Sequence, residues 1–117
     1  MAAQEIQGED YTVQYDAKAA TVYFTGDLSL SGPLEYEPIM NLLNAVAATD
    51  PATMTLDLRA LGFLNSSGIH MVSKFVLSLR QKPATHLIVL GSKTIAWQGK
   101  SLKNFERLLP RVTLEID

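Results

Sequence analysis

Between Met54 and Leu79 a short apolar strand pattern gives way, across one loop, to a helical pattern. Met54 to Leu58 is apolar enough for a central strand. Ile69, Val72, Phe75, Val76 and Leu79 then recur at helical spacing. A chain that switches period in this way must lay a helix on a sheet, which points to an α/β fold. The junction reads Phe63-Leu64-Asn65-Ser66-Ser67-Gly68-Ile69-His70 and carries two adjacent hydroxyls. They stand where the partial positive charge of a helix N-terminus favours an anion, a suitable place to add or remove a phosphate.

The flanking segments extend this pattern. Tyr11–Tyr15 alternates apolar and polar residues, and Ala20–Thr25 is rich in β-branched and aromatic ones, so the two predict an antiparallel hairpin that turns at Asp16-Ala17-Lys18, with Gly26 and Asp27 ending its second strand. Leu34 to about Ala48 predicts a helix with Ile39, Leu42, Leu43, Val46 and Ala47 on one face, and Pro33 suits its first turn. His86–Leu90 is a fourth strand. A helix from Lys93, capped by Ser92 and broken at Gly99, restarts at Ser101 and stops at Pro110. Val112–Ile116 is a fifth strand. The prediction is a mixed sheet of about five strands, covered by helices: an antiparallel pair followed by strand–helix–strand units. Residues 1–9 read as a polar tail and residues 10–117 as one domain.

Composition narrows the function classes. With 47% hydrophobic and 19% charged residues, the 117-residue chain is globular rather than disordered. It contains no cysteine, which excludes disulfides and thiol catalysis. No charged-then-apolar leader and no apolar run near the ~18 residues of a membrane span is present. The expectation is a cytoplasmic protein that is a monomer or weak dimer. Residues 1–58 carry a net −8 and residues 59–117 a net +6. Both halves can be ordinary solvated surface, or one acidic and one basic docking face. The basic residues are dispersed and the whole chain is acidic, which argues against nucleic acid.

Each chemical candidate has a plainer reading beside it. Ser66 and Ser67 are a helix N-cap and its neighbour, or one of them is a phospho-acceptor. Gly68 keeps bulk away so that another chain can approach. His70 lies one helical turn from Ser67, but acyl transfer also needs an orienting carboxylate and an oxyanion hole, and the Gly-x-Ser-x-Gly elbow is absent. His86 completes no such set either. Asp16, Asp27 and Asp57 do not form the strand-end carboxylate cluster that would hold magnesium for a phospho-aspartate site. The glycines are isolated, so no phosphate-cradling loop is present. No metal or cofactor is expected. Trp97, Lys100, Lys103 and Arg107 are either core edge and solvated charge, or a docking surface.

Leu56-Asp57-Leu58 followed by Phe63-Leu64-Asn65-Ser66-Ser67-Gly68-Ile69 resembles the signature of the STAS domain, and within it the bacterial anti-sigma-factor antagonists. Their equivalent loop usually reads Asp-Ser-Ser-Gly or Asp-Ser-Thr-Gly. Val22–Leu28 resembles the family's second strand and turn, and the order of elements from Tyr11 to Asp117 agrees. The resemblance implies a switch with no catalysis of its own. The unphosphorylated protein binds a serine kinase or anti-sigma-like partner, phosphorylation of the loop ends the binding, and a phosphatase restores it. In the usual register the acceptor is Ser67. Asn65 replaces the customary Asp, as in a related branch where the first hydroxyl is modified, which makes Ser66 the alternative. The expected contact surface comprises Asn65, Ser66, Ser67, Gly68, His70 and Lys74, with Asp27, Ser29 and Ser31 from the neighbouring loop. The partner could equally be a cyclase or another output protein. The alternative is a non-switching module of the same fold that scaffolds a complex or holds a nucleotide.

Overall fold

The computed structural model describes residues 5–117. Six strands form one sheet in the order of the sequence: β1 (Glu5–Gln7), β2 (Tyr11–Asp16), β3 (Thr21–Leu28), β4 (Thr53–Leu64), β5 (His86–Gly91) and β6 (Thr113–Ile116). The first three pair antiparallel, and β3–β4, β4–β5 and β5–β6 pair parallel. The mixed sheet and its order therefore match the expectation, with one strand more. Residues 1–4 of the expected tail lie outside the described residues, and Glu5–Gln7 is a short edge strand on β2. A three-residue polar strand has almost no alternation to read.

The helices are α1 (Gly32–Ala48), α2 (Ser66–Ser78, continued by one 3₁₀ turn to Gln81), α3 (Gln98–Lys103) and α4 (Phe105–Leu108). Val22, Leu56 and Val89 share one row across β3, β4 and β5 and are fully buried. They join Ile39, Leu43, Val72 and Phe75 of α1 and α2 in a single core. The next row, Tyr23, Asp57 and Leu90, faces the other way; Tyr23 is exposed and Leu90 half-buried, so this face is open. Asp57 is nonetheless buried there. Arg59, on the same side of the strand, covers it with two side-chain hydrogen bonds of 2.7 and 3.0 Å. Burial acts to raise the Asp57 pKa, but hydrogen bonds from the Arg59 side chain and backbone, with its charge, outweigh it and hold the carboxyl below its ordinary value.

Two boundaries differ from the sequence expectation in ways that shape the site. β4 does not end at Leu58; it runs on to Leu64. Beyond Asp57 it leaves β5 and pairs with β3 alone, with two register shifts. These irregularities erase the period-two signal. Gly26 allows one of them, with φ of +95° and Asp10 O standing where a Cβ would be. The carbonyls β5 leaves free are taken by side chains. Fully buried Gln98 donates from Nε2 to Leu58 O (2.5 Å) and Leu61 O (3.1 Å), and accepts from the Ser92 amide (2.7 Å). The Trp97 indole N–H also donates to Leu61 O (3.1 Å).

The second difference is at the C-terminal helices. No helix starts at Lys93; residues 93–97 are turns, and Gly99 lies inside α3 rather than breaking it. The tie from Gln98 to β4 sets the start of that helix, and a contact spanning 40 residues to Leu58 leaves no local mark.

Candidate functional site

The β4–α2 junction is a single residue, Asn65. The sequence suggests Ser66 or Ser67 as the helix cap, but the cap is Asn65, in extended conformation with φ −75° and ψ 175°. Its Oδ1 accepts from the Gly68 amide (2.9 Å) and from the Tyr36 hydroxyl (2.6 Å), and its Nδ2 donates to Leu30 O (2.8 Å). The Gly68 amide can only donate and the Leu30 carbonyl can only accept, so the amide can point one way only. One side chain thus joins the start of α2, the first half of α1 and the β3–α1 connection. An aspartate here would set a carboxylate oxygen against the Leu30 carbonyl, so the departure from the customary Asp has a structural reason in this chain.

Because Asn65 caps the helix, neither serine is needed for that task. Ser66 is exposed and Ser67 half-buried. Gly68 is buried: a Cβ would overlap Leu64 Cδ1 and come within 2.6 Å of Tyr36 Oη. Its glycine serves internal packing, not the approach of another chain as the sequence suggests. Tyr36 is 1% exposed. Burial first, and the charge of Tyr11 less strongly, raise its phenol pKa, while the hydrogen bond from the Leu30 amide lowers it; the net is upward, so it stays protonated and able to donate to Asn65. Sequence reasoning missed it, although Tyr36, Ile39 and Leu43 share one helical stripe.

Ser67, His70 and Lys74 lie on one wall of a cleft between α2 and α1. The facing wall is Pro33, Tyr36, Glu37 and Met40, with Met71 beneath, and the cleft holds about 210 Å³. The structure thus brings together six of the nine expected contact residues on α2 and its cap: Asn65 and Gly68 within the fold, Ser66 at the first position of the helix, and Ser67, His70 and Lys74 around the cleft. Ser66 is exposed beside them. Ser29 and Ser31 are exposed in the β3–α1 connection, which Leu30 anchors to Asn65. Asp27 is the outlier. It stands in β3 opposite Phe63, with its carboxylate over Gly62.

Other candidates fall away from this end. The His86 Nε2 and Thr113 Oγ1 are 2.7 Å apart beside the first residue of β4, a 12-residue strand away from Asn65. Trp97 is a half-buried tie to β4. Among the described residues no group of three His, Asp or Glu side chains is placed to hold a metal ion, and no helix is long and apolar enough to cross a membrane.

No family model matches the chain, and no curated protein matches it. Solved structures do. SiaC of Pseudomonas aeruginosa aligns with a TM-score of 0.73 at 17% identity, covering 100% of this chain and 98% of that one. A chain in the crystal structure of the diguanylate cyclase SiaD in complex with its activator SiaC, from the same organism, aligns with a TM-score of 0.74 at 16% identity, covering 97% of this chain and 98% of that one. An anti-sigma factor antagonist from Mycobacterium paratuberculosis aligns with a TM-score of 0.60 at 17% identity, covering 95% of this chain and 81% of that one. Likeness at this identity speaks to the fold, and the fold of this chain is of the STAS type.

Proposed function

We propose that this protein is a STAS-type, protein-binding regulator of the cytoplasm, a substrate and switch rather than a catalyst. Its contact surface centres on the start of α2. Phosphorylation of a serine there by a kinase ends binding, and a phosphatase restores it. The observation that carries this reading is the freedom of the two hydroxyls: Asn65 does the capping, so Ser66 and Ser67 stand at the helix start without a structural duty. A kinase needs to surround its acceptor, and Ser66 is exposed where Ser67 is half-buried against α1. Ser66 is therefore the preferred acceptor, and Ser67 the second choice despite its usual register. The structural likeness to an activator of a diguanylate cyclase supports a cyclase as a candidate partner, while the serine-kinase partner rests on the resemblance of the loop sequence.

A phosphate adds about −1.5 to −2 charges at neutral pH, and a close-packed contact accepts such a group only when it is paired. The helix survives the modification, because negative charge is favourable in its first turn. What changes is the surface a partner meets. The test is phosphopeptide mass spectrometry on the protein recovered from its host, with Ser66→Ala and Ser67→Ala variants. The expected result is modification that Ser66→Ala abolishes. Absence of phosphate from both serines under every growth condition overturns the switch and leaves the non-switching binding module.

A further inference from the structure

We propose that copies of this chain dock head-to-tail, a basic patch on the outer helices of one meeting an acidic patch beside the start of α1 on the next. Because the sheet runs in chain order, the net −8 of residues 1–58 and the net +6 of residues 59–117 become two sides of one molecule. The acidic side collects at one corner. The Asp27 amide donates to Asp10 O (2.8 Å), which ties the β1–β2 turn to the end of β3, and α1 follows directly after Ser29–Ser31. Glu9, Asp10, Asp27 and Glu35 are exposed there, and neither that turn, nor the connection, nor α1 contains a Lys or Arg. Lys18 lies in the β2–β3 turn, at the other end of those strands.

The basic side collects on the outer helices. Arg80 donates to Leu108 O (2.5 Å) and Arg107 O (3.2 Å), which sets two arginines side by side, and Lys100 and Lys103 continue the patch along α3. All four are exposed, and none is in the two ion pairs of the described residues, Arg59–Asp57 and Lys82–Asp50. Glu106 is the one acid between Asp57 and Glu115. Glu115 shares the open-face row of Leu90 and Asp117 lies near Arg59, so neither offsets the patch. Glu37 and Lys74 face each other across the α1–α2 cleft, offset one another and count for neither side. Each patch also has an apolar centre. Leu34, beside Glu35, is 82% exposed, and Leu77, one helical turn before Arg80, is 42% exposed. An apolar centre with a charged rim is the anatomy of a protein contact. Each patch therefore finds its complement on the other side of the same chain. Because the two patches differ, the contact is heterologous: every added copy leaves one patch of each sign free, and copies join in a row rather than as a two-fold pair.

Sedimentation velocity of the full chain across a wide protein concentration range tests this, at about 0.02 M and about 0.5 M salt, between which the Debye length falls from about 20 Å to about 4 Å. The expected result is a species size that keeps rising with concentration in low salt, and association at least roughly tenfold weaker in high salt. Lys103→Glu with Arg107→Glu, and separately Glu9→Lys with Asp10→Lys, each leave a monomer. An equimolar mixture of these two double variants associates again, because one keeps the acidic patch and the other the basic one. That recovery also shows that both are folded. Leu34→Ser and Leu77→Ser each weaken association roughly tenfold. A parent that stays monomeric in low salt overturns the proposal, and parallel runs with polyglutamate and with an oligonucleotide then show which other partner the basic patch takes. Growth that stops at two copies, indifference to salt or to the two leucine variants, or a mixture of two folded double variants that stays monomeric overturns it as well.

Discussion

Replacing Asn65 with alanine tests the central joint of the structure. The substitution removes three hydrogen bonds at once. Loss of an N-cap costs about 1 kcal/mol. The Tyr36 hydroxyl, 1% exposed, still accepts from the Leu30 amide but loses Asn65 as its acceptor. An orphaned buried donor of this kind costs about 1–2 kcal/mol. The Leu30 carbonyl is half-buried and can recruit water. Its loss is smaller, about 0.5 kcal/mol. The sum is about 3 kcal/mol, a large share of the roughly 5–15 kcal/mol typical of a domain, and equivalent to roughly 10 °C in Tm. Tyr36→Phe alone removes two bonds, the one to Asn65 Oδ1 and the longer one from the Leu30 amide, and leaves Oδ1 satisfied by Gly68. That variant should cost about 1 kcal/mol. The double variant has no orphaned phenol, so it should cost about 1 kcal/mol less than the two single costs added together. Urea unfolding followed by circular dichroism measures all four corners of this cycle. A cost below about 1 kcal/mol for Asn65→Ala, or additivity within about 0.5 kcal/mol, would refute the three-way joint. Asn65→Asp separates its parts. The cap and the Tyr36 bond persist, so stability stays within about 1 kcal/mol, while hydrogen exchange of the β3–α1 connection speeds up as the tie to Leu30 O is lost.

Gly68→Ala places a methyl that overlaps Leu64 and crowds Tyr36. It should destabilise by about 1–3 kcal/mol in the same unfolding assay, and a neutral result would mean that α2 can slide. Gln98→Leu removes the side-chain partner of the Leu58 carbonyl and of the Ser92 amide, and leaves the Leu61 carbonyl with the Trp97 indole N–H alone. The expected loss is about 2–4 kcal/mol, with faster amide exchange along β4 as the second readout. Asp57 sets a pH dependence of definite sign. Its pKa is lower folded than unfolded. Its stabilisation is therefore complete above the unfolded value of about 3.9 and is lost as pH falls through the folded value. Arg59→Leu should reduce stability at neutral pH, and the difference from the parent should shrink below about pH 4. A constant difference down to about pH 2 would exclude the Asp57 carboxylate as its source.

The elements with strong periodicity were readable in advance. The α1 and α2 stripes, the β2–β3 hairpin and the apolar cores of β4 and β5 are local patterns, and each appears close to its expected place. The misread boundaries share one cause. At Phe63–Leu64 the strand continues because β3 is there to pair with it. At Gln98 a helix begins because the carbonyls of β4 are within reach of its side chain. Neither fact is encoded within a window of a few residues. The same holds for Tyr36, whose place in the α1 stripe is local but whose partner, Asn65, lies 29 residues away.

By itself, then, the sequence determined the class of fold, the order of its elements, and the junction where two hydroxyls meet the start of a helix, because these depend on period, composition and neighbouring residues. Tertiary structure decided where those hydroxyls stand. It assigned the cap to Asn65 through contacts with α1 and the β3–α1 connection, turned Ser67 toward a cleft that exists only where two helices pack, and left Ser66 facing solvent. It also moved the meaning of Gly68 from outside to inside, since only packing shows which side of a glycine is already occupied.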